Sequence, residues 1–141
     1  MLSQEYKLQS VTLKVLLALL AGAALHIAAW TAAAKTTCQG VGLGGTVCSG
    51  GLGVGGALVA YVIAFVGAPI LALVILRKVG MPQAAVIALG SQLIAIVLTL
   101  LLFRPLFQRD IPGVSLLWEV TTQAVAVPAT GIALARLLRR S

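Results

Sequence analysis

Apolar and polar positions divide the chain into long apolar runs separated by polar or glycine-rich stretches. The runs cover about residues 15–34, 55–76, 84–103 and 114–135. Each is close to the roughly 20 residues that a helix needs to cross a bilayer core. In lipid the backbone must satisfy its own hydrogen bonds, so each run predicts a transmembrane helix rather than an open strand. Residues 77–83 form a tight turn, with Gly80 placed to end one helix and Pro82 to begin the next. Residues 104–113 carry Pro105 and Pro112 and make a second short connection. Short connections set consecutive helices side by side and antiparallel. The expected fold is an all-α integral membrane protein: one domain over 1–141, an antiparallel four-transmembrane-helix bundle.

Within the spans, polar residues recur at helical spacing. Glu119, Thr122, Gln123, Ala126 and Thr130 make one stripe on the fourth span, and Ser91, Gln92, Ala95 and Thr99 make another on the third. Lipid contact would be costly for both, so they are expected to face each other, the interior or a partner. Two readings follow: hydrogen bonding between helices, or a polar path for an ion or small solute. The second span has a small residue at every fourth position: Gly56, Ala60, Ala64, Ala68 and Ala72. Such rows allow close helix approach, to a neighbour or to another copy. Ala18, Gly22 and His26 form a shorter row on the first span. His26 is the only histidine and has no carboxylate near it in sequence. Its readings are a neutral side chain bonded across a helix interface, or a proton relay or ligand. Glu119, beside Trp118 near the outer boundary, is expected to reach water or to pair with Arg104 or Arg109.

Composition supports the membrane assignment. The chain is 60% hydrophobic and 9% charged, against about 25% charged residues in a soluble domain. The net charge of +7 comes from basic residues that flank the apolar runs, so it marks topology rather than nucleic-acid binding. With the N-terminus inside, Lys7, Lys14, Arg77, Lys78, Arg136, Arg139 and Arg140 are cytoplasmic, and only Lys35, Arg104 and Arg109 lie outside. That asymmetry places both termini in the cytoplasm. The expected setting is the plasma (inner) membrane of a prokaryote, as a multi-pass protein whose partners are lipid and other membrane chains or copies of itself. The first run also has the look of a signal peptide, with Ala32, Ala33 and Ala34 before Lys35; we read it as a retained span.

The stretch 35–56 joins the first two spans and holds Cys38, Cys48 and nine of the fifteen glycines. Outside the cytoplasm two cysteines are expected to form a disulfide, worth roughly 2–3 kcal/mol for a loop this short. Two thiols are too few for a metal site, and their spacing is not that of a C-x-x-C redox pair. Gly40, Gly42 and Gly45, like Gly51, Gly53 and Gly56, match the dinucleotide fingerprint, but no strand precedes them and no acidic residue follows at the required distance.

Pro69 precedes Arg77 by eight residues and Pro128 precedes Arg136 by eight. This is a weak sign of a repeated two-helix unit, and each proline is expected to kink its helix. Glu5, Asp110 and Glu119 are the only acidic residues, and with one histidine they provide no converging set for acid–base or metal catalysis. No cofactor and no catalytic residue is expected. The expected function is that of a non-enzymatic subunit or accessory of a larger membrane assembly or homo-oligomer; the alternative is a small homo-oligomeric channel or transporter with its path between spans three and four.

Overall fold

The computed structural model describes residues 2–34, 37–41, 45–49 and 53–140, the strands by their backbone alone. Four helices among these residues are long and apolar enough to cross a membrane. The first is α1, Leu2–Ala34. The second is continuous through α2 (Gly53–Val62), a π-helical turn (Ile63–Gly67) and α3 (Ala68–Lys78). The third is α4, Ala84–Phe107. The fourth runs through α5 (Val114–Thr121), a second π turn (Thr122–Ala126) and α6 (Val127–Arg140). The protein is a multi-pass membrane protein.

All four helices outrun the apolar runs that predict them, the second by two residues at each end. α1 begins at Leu2 rather than near residue 15, because Gln4, Glu5, Lys7 and Leu8 are good helix formers whatever their polarity. At 33 residues it is about 50 Å long, well beyond a bilayer core of about 30 Å. α4 continues through Pro105 to Phe107, and α6 carries Arg136, Arg139 and Arg140 within the helix. Hydropathy marks where lipid ends, not where helical hydrogen bonding ends.

Between α1 and α2 the glycine-rich stretch forms an antiparallel pair of strands, β1 (Thr37–Val41) and β2 (Gly45–Ser49). A strand therefore does precede Gly51, Gly53 and Gly56, contrary to expectation, while the acidic residue that the dinucleotide fingerprint needs is still missing from the sequence. Their register sets Cys38 opposite Cys48. The cysteine side chains lie outside the described residues, and with them the expected disulfide.

Gly80 ends α3 as its position predicts. At φ +71° it takes the left-handed conformation that lets the chain turn back on the helix. Met81 N–H donates to Leu76 O and Gly80 N–H to Arg77 O, both at 3.0 Å, which is the Schellman closure of a helix C-terminus. Pro82 does not start the next helix. Gln83 intervenes at φ +58° and α4 begins at Ala84.

α1 packs against α2 and α3, α3 against α4, and α6 against both α4 and α1. Val15, Ala18, Leu19, Leu76, Ala84, Ile87, Ala88 and Ala135 form an apolar core toward the end of the helices that carries Arg77, Lys78 and Arg136. The small row of the second span turns inward. Ala60, Ala64, Ala68 and Ala72 are buried, and a Cβ built on Gly22 of α1 would lie 2.8 Å from Ala68 O. Larger apolar side chains such as Leu58, Val62, Val66, Leu93, Val97 and Leu101 cover the outside.

Candidate functional site

Both prolines act on the turn before them. A proline has no N–H to give, and its ring crowds the preceding carbonyls. In each case the backbone widens by one residue. Ala68 N–H bonds Ile63 O and Val127 N–H bonds Thr122 O, each five residues back. Ala64 O is thereby left without a helical donor: Ala68, which would serve it in an α-helix, is engaged with Ile63, and position 69, which would serve it in a π-helix, is proline. The widened turns at 63–67 and 122–126 are spaced like Pro69 and Pro128, so the repeat seen in the sequence extends to backbone geometry.

His26 fills the vacancy at Ala64. Its Nδ1 donates to Ala64 O at 2.7 Å, and its Nε2 lies 2.7 Å from Glu119 Oε2. Both side chains are buried, His26 at 0% and Glu119 at 3% exposure. Phe65 meets the imidazole edge-on, with centroids 5.0 Å apart. A carbonyl can only accept, so the Nδ1 proton is fixed by Ala64. One further proton lies between Nε2 and Oε2, either on the carboxyl facing a neutral imidazole or on an imidazolium facing a carboxylate. Both arrangements are neutral overall, which is what a pair inside the apolar phase requires. Glu119 therefore pairs with neither Arg104 nor Arg109, and His26 has a carboxylate partner 93 residues away in sequence. His26 bonds across two helix interfaces, to Ala64 O and to Glu119. The carboxylate adds a shared proton that the sequence does not announce.

The polar stripes of the third and fourth spans meet beside this pair. Ser91, Gln92, Thr99, Thr122 and Gln123 are buried, and Thr130 is half-buried. Thr99 Oγ1 and Thr122 Oγ1 are 2.8 Å apart, and Trp118 Nε1 donates to Thr99 Oγ1 at 3.0 Å. Thr99 also reaches Ala95 O and Thr122 reaches Trp118 O, each at 2.7 Å. Further along, Thr130 Oγ1 reaches Ser91 O at 3.2 Å. Trp118 is the contributor that helical spacing misses: it lies near the outer boundary, yet its indole N–H turns in to Thr99. Replacing Thr99 with valine removes the acceptor of that N–H and the Thr122 contact together. A loss of about 1 kcal/mol is expected, within the range of hydrogen bonds between membrane helices. The check is chemical unfolding together with a shift in Trp118 emission, read in a Trp30→Phe background.

Among the described residues, no three His, Cys, Asp or Glu side chains come together in a way that would hold a metal. Among the described residues, the arrangement with chemical potential is the His26–Glu119 pair. Comparison of the chain with protein-family models, curated proteins and solved structures found no match.

Proposed function

We propose that this protein is a non-enzymatic subunit or accessory of a larger membrane assembly or homo-oligomer, built as an antiparallel four-helix bundle with both termini in the cytoplasm of a prokaryotic plasma membrane. The observation that carries this reading is the use made of the polar stripes. They bond to one another through Thr99, Trp118, Thr122, Thr130 and Ser91, and the cavity left beside Gln92 and Gln123 holds about 10 Å³. An interior whose threonine, serine and tryptophan groups bond to one another around so small a void leaves the outer surface to do the work. That surface is leucine- and valine-rich, equally suited to lipid and to partner helices. The basic residues gathered at the ends of α3 and α6 support the orientation. The Cys38–Cys48 register supports a disulfide, since facing residues on antiparallel strands have Cα atoms about 4.5–5.5 Å apart, within disulfide reach.

A proton-linked channel or transporter is the second reading, and one observation favours it: His26 and Glu119, two ionisable side chains, meet at 2.7 Å in the buried interior. Purified protein in liposomes separates the two. The subunit reading expects ion and solute flux equal to that of empty liposomes, and partners or further copies retained through native mass spectrometry from mild detergent. Flux that falls when Gln92→Ala or Gln123→Ala is introduced would establish the second reading instead.

A further inference from the structure

Among the described residues, one interior amide has no partner. Gln92 is 8% exposed, and its Nε2 makes no hydrogen bond. A primary amide nitrogen carries two N–H donors, and burying them unmet is costly. Beside Gln92 lies a cavity of about 10 Å³ bounded also by Gln123, Leu19, Ala68, Ala72 and Val127. That volume is about one water-sized sphere, the lower limit for holding a single water molecule.

Gln123, which also lines the cavity, supplies oxygen. Gln123 is 2% exposed, and its main-chain carbonyl has lost its helical donors in the same way as Ala64. Val127 N–H is engaged with Thr122 O, and the next position in the widened register is Pro128. In the first half of the repeat a side chain, His26, takes the freed carbonyl. The second half has instead an unpartnered amide donor, Gln92, lining the same small cavity as Gln123.

We propose that a single water molecule is bound in this cavity, accepting a hydrogen bond from Gln92 Nε2 and donating to an oxygen of Gln123. It links α4 to the second π turn as His26 links α1 to the first. No charged side chain lines the cavity, so the site offers a neutral molecule the donor and acceptor that it needs and offers an ion no counter-charge.

Two measurements on the full chain test this. An experimental structure at a resolution that shows ordered water is expected to place a density peak within hydrogen-bonding distance of the Gln92 amide, and an empty cavity would overturn the proposal. Gln92→Met keeps the length of the side chain and removes the donor. If water satisfies the amide, the variant has a lower thermal unfolding midpoint in detergent than the parent protein. If the cavity is dry, relief of an unpaired amide raises the midpoint, and the proposal fails.

Discussion

Substituting His26 with leucine is expected to cost about 3–5 kcal/mol of unfolding free energy, the range for removing one partner of a buried pair. Two groups lose their partner at once. The Glu119 carboxyl stays at 3% exposure without a bond, and Ala64 O loses the donor that replaced the missing N–H of Pro69. Glu119→Leu is expected to cost less, about 1–3 kcal/mol, because it strands only imidazole Nε2. Glu119→Gln is expected to be milder still. Its amide can donate to Nε2 of a neutral imidazole while Nδ1 keeps Ala64. Chemical unfolding of the three variants in detergent checks this order. An order set by side-chain volume alone, with Glu119→Gln no better than Glu119→Leu, would contradict the proton arrangement.

Gly22→Leu is expected to be comparably disruptive for a different reason. The first Cβ would already lie 2.8 Å from Ala68 O, a backbone atom with no freedom to swing aside, and 3.4 Å from Ala72 Cβ. Overpacking of this kind costs about 1–3 kcal/mol for modest insertions, so Gly22→Ala is expected to destabilise despite the better helix propensity of alanine. The bulk of leucine requires α1 to separate from α3. His26 lies one turn further along α1, so the separation also opens its bond to Ala64. Gly55→Ala is the control: nothing among the described residues lies within 4 Å of a Cβ there, and the unfolding midpoint is expected to hold or rise. Equal effects at Gly22 and Gly55 would show that helix propensity, rather than close approach, governs the small-residue row.

Periodicity makes the faces legible in the sequence but not their pairing. The row from Ala60 to Ala72 reads as a packing face because small residues at every fourth position have few other uses. Its partner, the Gly22 face of α1, depends on the rotation of two helices about their axes, which spacing within one helix does not carry. The His26–Glu119 bond is hidden for the same reason. Near Glu119 the sequence offers Arg104 and Arg109, yet both are exposed in the structure while the fourth helix turns its carboxyl toward α1. The readable clue to the site was Pro69. A proline in a span frees a carbonyl within the preceding turns, and a buried donor is then needed to meet it. What the sequence could not supply was the choice between the α and π registers, which decides whether Phe65 O or Ala64 O is freed. Helix ends were obscured by the opposite problem, since the charged residues that end the apolar pattern in α1 and α6 are themselves good helix formers.

A double-mutant cycle on His26 and Glu119 tests most directly whether the buried polar groups hold the helices to one another. Unfolding free energies are measured for His26→Leu, Glu119→Leu and the two together. The structure predicts strong non-additivity, with the double variant recovering at least about 1 kcal/mol of the summed single losses, as for residues in one hydrogen-bonded network. Losses that simply add, within about 0.3–0.5 kcal/mol, are the behaviour of independent sites and would contradict the account.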